Sequence, residues 1–315
     1  MEKIRLGISS CLLGENVRYD GGHKLDRFIK DTLGQYVEYV AVCPEVECGL
    51  DIPRESMRLE GGPEAPRLVT TRSKIDLTLR MMRWAQKRVV ELEKEDLCGF
   101  IFKSDSPSSG MERVKIYGEN KMPVKKGVGI FAGIFMKHFP LLPVEDEGRL
   151  HDPALRENFI ERVFALRRWR ESRKEKGGEE ALIDFHTSHK FLILAHSPRH
   201  YQLMGKLVAN QRSMPREELL DKYQVLLLEY LSLKGTPKKH VNVLQHMLGY
   251  FKKQLTADEK TELLEIIGDY QRGYIPLIVP VSLLRHYVRK YEQSYLQRQV
   301  YLNPHPVELK LRNHV

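Results

Sequence analysis

Four cysteines, Cys11, Cys43, Cys48 and Cys98, lie in the first third of a chain of 315 residues. A secreted scaffold held by disulfides is normally shorter and richer in cysteine, so thiols gathered like this point to a reducing compartment. There they serve as ligands to a metal or cluster, as a nucleophile, or, for one or two of the four, as small apolar core residues. Three of them sit in two short motifs, Ser9-Ser10-Cys11-Leu12-Leu13-Gly14 and Cys43-Pro44-Glu45-Val46-Glu47-Cys48-Gly49-Leu50. A further motif, Lys103-Ser104-Asp105-Ser106-Pro107-Ser108-Ser109-Gly110, supplies hydroxyls and no thiol. Three thiolates fall short of a closed structural zinc site, which takes four ligands. They suit a catalytic zinc with an open position or an iron–sulfur cluster with one unprotected iron, with a thiol-only site as the competing chemistry. Glu45 reads as a general base beside such a centre, or as an N-cap or a partner for Arg54.

These motifs make one site only if the fold gathers them. Lys3–Ser9, Val37–Val42 and Gly99–Lys103 have strand patterns, and each runs directly into one of the three motifs. Leu25–Leu33, Lys74–Glu95 and Gly129–Phe139 have helical spacing, and Leu141–Val144 reads as a last short strand. Strand–helix alternation predicts an α/β, Rossmann-like parallel sheet with helices on both faces. In such a sheet the carboxyl ends of the strands share one edge, where ligands bind. Cys98 begins a strand and is expected at the opposite edge.

After Glu145-Asp146-Glu147-Gly148-Arg149 the pattern becomes helical throughout. His151–Arg173 and Ala181–His196 read as helices around a surface loop, Lys174–Glu180. Ser197-Pro198 reads as a cap followed by a first turn, and Thr256-Ala257-Asp258-Glu259 as a capping box. The expected domains are therefore residues 1–147, α/β, and 148–315, all-α. The longest apolar run, Ile275 to Leu284, is short and broken by proline, so no segment is expected to span a membrane. Met1-Glu2-Lys3-Ile4-Arg5 lacks the apolar core of a signal peptide, which predicts a cytoplasmic protein. The net charge is +9, and it is uneven: residues 1–150 hold 24 basic against 23 acidic residues, the remainder 27 against 19. The basic excess of the second half suits a polyanionic partner, or plain solubility.

Taken together, Ser9–Gly14 with Val17–Gly21, Cys43–Arg54 and Lys103–Gly110 resemble the motifs of the thiouracil desulfidase (TudS-like) family, in its order and over nearly all of residues 1–145. Leu182–Lys190, Ala195-His196-Ser197 and Tyr201–Gly205 resemble a YbgA-like helical domain, and the fusion of the two is similar to the tRNA 4-thiouridine desulfidases (RudS-like). The resemblance implies a 4Fe-4S cluster held by three cysteines, with one open iron that takes the substrate's sulfur. Cys11 and Cys43 match two of the ligands. The third family cysteine is replaced here by Ser109, and Cys48, on the same loop as Cys43, is the expected substitute, with Cys98 as its competitor. Glu45 and Ser106 match the family's catalytic carboxylate and serine. Arg18, Tyr19, Lys103, Ser108 and Ser109 are candidates for substrate binding.

In the helical half, Lys238, Lys239, Lys252, Lys253, Arg285 and Arg289 are the candidate RNA-binding residues, interleaved with Tyr287, Tyr291 and Tyr295, of which at least one edge is expected to be buried. His186, His189 and His196 read as core or hydrogen-bonded histidines before they read as metal ligands. The implied activity is hydrolytic removal of sulfur from thiouridine in tRNA, expected to be 4-thiouridine, with release of sulfide. A desulfidase of free thiouracil-type bases and a non-catalytic iron–sulfur protein that binds RNA or senses redox state are the alternatives.

Overall fold

The structure, a computed structural model, describes residues 3–118, 122–174 and 178–314. Two compact units divide between Leu155 and Arg156. The first is α/β and the second helical.

Four strands, β1 (Ile4–Ser9), β2 (Val37–Val42), β5 (Phe100–Phe102) and β8 (Val144–Asp146), form a parallel sheet in the order β2-β1-β5-β8. Ile4 pairs with Val37 and Ser9 with Val42, so β1 and β2 start and end level with each other. Helices α2 (Thr78–Glu93) and α3 (Ile130–His138) cover the sheet. Met81, Ala85, Val89 and Leu92 recur at helical spacing and give α2 its buried face. Phe100 and Phe102 from β5 and Phe131 and Phe135 from α3 bury completely as one aromatic cluster. Burial of side chains this size contributes roughly 1.5–3 kcal/mol each. Gly7 on β1 has no alternative, because a Cβ there would stand 2.2 Å from Phe100 Cδ2.

A second sheet lies outside the sequence expectations. It comprises β3 (Met57–Glu60), β4 (Arg67–Thr70), β6 (Val114–Tyr117) and β7 (Pro123–Gly127), in the order β4-β3-β6-β7 with both parallel and antiparallel pairs. Its core of Leu59, Leu68, Val114 and Ile116 packs against Leu77 and Met81. The expected helix at Leu25–Leu33 is instead a π turn over Phe28–Thr32 followed by a 3-10 turn.

The second unit begins within the first turn of α4 (Pro153–Lys174) and continues through α5 (Gly178–His196), α6 (Pro198–Ala209), α7 (Arg216–Ser232), α8 (Pro237–Leu248), α9 (Ala257–Gln271), α10 (Ile278–Lys290) and α11 (Ser294–Gln297). Both expected caps are present: Ser197 accepts from His200 N, and Thr256 and Glu259 close a reciprocal capping box. The expected loop Lys174–Glu180 centres on 175–177, which lie outside the described residues. No helix among the described residues is long and apolar enough to cross a membrane.

Candidate active site

The level ends of β1 and β2 decide where the first two cysteines go. β1 passes into a 3-10 turn over Ser10–Leu13 that carries Cys11, and β2 passes into Cys43, the N-cap residue of the short helix α1 (Pro44–Glu47). β5 ends at Phe102 and delivers Lys103, whose amide donates to Ser9 Oγ at 3.0 Å. Cys11, Cys43, Glu45, Lys103, Ser106 and Ser109 thus line one cavity of about 400 Å³, together with Arg18, Tyr19, Lys24, Arg54 and Ser56.

The serine loop is built against α3. Ile130 N donates to Pro107 O, and Phe131 N and Ala132 N donate to Ser108 O, so loop carbonyls satisfy the free amides of the helix's first turn. Gly129 permits this approach, since a Cβ there would stand 2.5 Å from the Ser108 carbonyl. Ser106 Oγ accepts from the amides of Ser108 at 3.3 Å and Ser109 at 3.1 Å. Its own proton is left for Ser108 Oγ, 2.9 Å away, and Ser108 in turn donates to Glu45 Oε1. Ser106, Ser108 and Glu45 form a directed relay. Ser108, expected to touch substrate, is fully buried behind the cavity lining as its middle member.

Glu45 Oε2 faces the Cys43 thiol at 3.5 Å and Arg54 Nη2 at 4.0 Å. Arg54 is fixed by donating to Val17 O at 3.0 Å. Burial, and secondarily the Glu45 charge, push the Cys11 thiol up to about 11 and the Cys43 thiol up to about 12. Lys103 and Arg18 oppose the shift at Cys11, and Arg54 opposes it at Cys43. Lys103 Nζ is held by Glu147 and by the carbonyl and hydroxyl of Ser104. Arg18 lies 3.6 Å from Asp20 and 5.5 Å from the centroid of the half-exposed Tyr19 ring.

The cysteine expected to complete a thiolate set has a different setting. Cys48 ends α1; its Sγ donates to Glu45 O at 3.3 Å, and its side chain packs with the core of the second sheet, outside the cavity lining. Arg80 holds the carbonyls of Cys48 and Gly49 in this turn. Cys98 is buried, and its amide bonds Arg5 O near the start of β1, at the opposite sheet edge from Cys11. At about 3.3 Å per residue the length of β1 separates those edges by roughly 20 Å. The sulfur donors at the cavity are therefore Cys11 and Cys43, and the third motif contributes Ser109. A set of Cys11, Cys43 and Cys48 does not assemble in this arrangement, and no group of three or more histidine, cysteine, aspartate or glutamate residues able to hold a metal ion occurs among the described residues. Glu147 as the anchor of Lys103, and Lys24 and Ser56 in the lining, had no motif to announce them.

In the helical unit Lys238, Lys252, Lys253, Arg285 and Arg289 are exposed. Lys239 is committed to the carbonyls of His196 and Lys234. Tyr287 is buried and donates to Glu262, and Tyr291 donates to Glu259. His189 donates through Nδ1 to Phe185 O and accepts from Arg168, while His196 bonds Leu233 O, so each is used separately.

Residues 6–147 match the family described as 2-thiouracil desulfurase, and residues 190–306 match a family described as a protein of unknown function, DUF1722. The chain is 31% identical over 153 residues to the uncharacterized protein YbgA of Escherichia coli (strain K12), covering 48% of this chain and 90% of that protein. It is 32% identical over 108 residues to the uncharacterized protein YbbK of Bacillus subtilis (strain 168), covering 33% and 71%. Among solved structures, a [4Fe-4S]-dependent thiouracil desulfidase, TudS, shares 31% identity over 48% of this chain and 95% of its own, with a TM-score of 0.39. Through the segment that carries Cys11, Cys43, Glu45 and the serine relay, the chain belongs to the 2-thiouracil desulfurase family, here joined to a YbgA-like helical region.

Proposed function

We propose that this protein removes sulfur from thiouridine in tRNA, leaving uridine and releasing sulfide, and that 4-thiouridine is its substrate. The observation that carries the reading is the meeting of two buried thiols and a carboxylate in one cavity at the carboxyl edge of a parallel sheet, with the serine relay holding that carboxylate from behind.

Cys11 and Cys43 are the two thiolate ligands of an iron–sulfur cluster in this reading, and Ser109, which lines the same cavity, takes the third position in preference to Cys48. When bound, such a cluster supplies a Lewis-acidic iron for the thiocarbonyl sulfur. Glu45 accepts the proton of the water that attacks the ring carbon, and Ser108 and Ser106 hold the carboxylate and pass charge back toward the loop. Arg18, Tyr19 and Lys103 border the cavity and bind the nucleotide. The exposed Lys238, Lys252, Lys253, Arg285 and Arg289 neutralise RNA phosphates, consistent with the basic excess of the second half.

The test is sulfide release by anaerobically reconstituted protein from thiolated tRNA and, separately, from free 2-thiouracil, with the tRNA nucleosides analysed afterwards. Sulfide together with loss of 4-thiouridine is expected. Turnover of the free base alone would remove tRNA from the reading, and turnover of neither would end it.

A further inference from the structure

The stretches Leu182–Lys190 and Tyr201–Gly205 take no part in the sulfur chemistry, yet the structure brings them together. His186, Thr187 and Lys190 share one face of α5; Tyr201 and Gln202 lie on the facing side of α6, and Ser197 caps the tight turn between the two helices. With Tyr295 of α11 they enclose a partly open cavity of about 430 Å³, within the roughly 300–1,000 Å³ range of small-molecule sites.

The lining is selective. No carboxylate among the described residues contributes to it, which disfavours a cation, and its polar side chains disfavour a lipid. Lys190 places its ammonium 5.7 Å from the centroid of the Tyr201 ring and has no carboxylate partner among the described residues. Tyr295 is stiffened by stacking on Tyr250, with centroids 5.2 Å apart. His186 is tied through Nδ1 to the buried Tyr223 hydroxyl at 3.2 Å, which leaves Nε2 for the cavity. Burial, and then Lys190, hold that imidazole down to about 4, so at neutral pH it is an uncharged hydrogen-bonding group. Two aromatic rings, one cation with no carboxylate partner among the described residues, and neutral donors and acceptors are the chemistry that recognises a flat heterocycle carrying one phosphate.

We propose that the pocket between α5 and α6 binds one nucleoside monophosphate unit, its base against the tyrosine rings and its phosphate toward Lys190. The ligand chemistry stands without the desulfidase reading; only the naming of RNA as its natural source rests on that reading.

The test uses the full chain, a single-stranded RNA octamer carrying one 5-iodouridine, and uridine monophosphate as competitor. Photocrosslinking is expected to join the RNA to a peptide containing Tyr201 or Tyr295. Lys190→Gln and the surface substitution Gln202→Ala are each expected to weaken binding at least fivefold at constant salt, with an unchanged circular dichroism spectrum. Gly205→Leu, which fills the cavity, should abolish the crosslink. Competition by uridine monophosphate would extend the site to free nucleotides, and an undisturbed crosslink would assign it to nucleotides within a strand. Crosslinks confined to other peptides, with Lys190→Gln and Gln202→Ala binding like the parent, would overturn the proposal, as would failure of both RNA and nucleotide to bind. Sulfide release from free 2-thiouracil, assayed in parallel, reports on the desulfidase reading alone.

Discussion

Ser108 and Glu45 stand 63 positions apart in the chain, and the hydroxyl of the first donates directly to the carboxylate of the second. The bond joins the loop after β5 to the helix after β2, two segments that meet because their strands lie in one parallel sheet. With Ser106 behind it, Ser108 leaves Glu45 a single orientation, one oxygen held and the other turned toward Cys43 and Arg54.

The first consequence concerns the rate. Glu45→Gln is expected to lower sulfide release by about 10²–10⁴, the range for loss of a general base. Ser108→Ala should cost about 10–100-fold through the misplaced carboxylate, the scale of one lost hydrogen bond to a charged group. Both variants should keep their iron. A Glu45→Gln protein that works at the parental rate would remove the base from the scheme.

Iron content separates the candidate ligands. Cys11→Ser, Cys43→Ser and Ser109→Ala are expected to lose iron and acid-labile sulfide on anaerobic reconstitution. Cys48→Ser and Cys98→Ser, which alter residues packed away from the cavity, should retain them. Retention in Ser109→Ala with loss in Cys48→Ser would mean that the turn after α1 rearranges to deliver its thiol.

Replacing Lys252, Lys253, Arg285 and Arg289 together by glutamine should weaken tRNA binding. It should also flatten the dependence of log affinity on log salt by about 0.7–0.9 for each phosphate that is no longer neutralised. Turnover of free 2-thiouracil should be unchanged. Lys239→Gln belongs to another class: its ammonium satisfies two carbonyls, so the variant should lower Tm. A salt slope identical to the parent's would exclude this surface from the RNA interface.

Acid should unfold the helical unit early. Burial holds His186 and His305 down to about 4 and His240 to about 3, below the ordinary value of about 6.5. A depressed folded-state value means that the unfolded chain takes up protons first as pH falls. The stability these neutral rings confer is therefore complete above pH 6.5 and is lost progressively as pH falls, down to about 4 for His186 and His305 and about 3 for His240. Thermal melts across that window should show a falling Tm, with a shallower fall in His240→Gln. A Tm flat from pH 7 to 4 would contradict the burial of these rings.

Much of the first unit was legible in the linear chain. Strand patterns ending at Cys11, Cys43 and Lys103 implied a shared sheet edge, because parallel strands put their carboxyl ends together whatever the sequence distance. In the helical unit the caps at Ser197 and Thr256 were readable for a local reason: a cap is made within one turn. The second sheet was not readable. Arg58, Glu60, Lys115, Lys125 and Lys126 interrupt its short strands, which need partners elsewhere in the chain to bury Leu59 and Ile116.

Cys48 divides the two kinds of information most sharply. Its position five residues after Cys43 was fixed by the chain, and spacing alone allowed it into the site. Its side chain was directed by the α1 turn, by Arg80 from α2 and by apolar residues of a sheet with no signature in the pattern. Sequence thus determined which chemical groups reach the edge of the first sheet. Tertiary packing decided which of them face the cavity, because side-chain direction in a tight turn is set by neighbours drawn from distant parts of the chain.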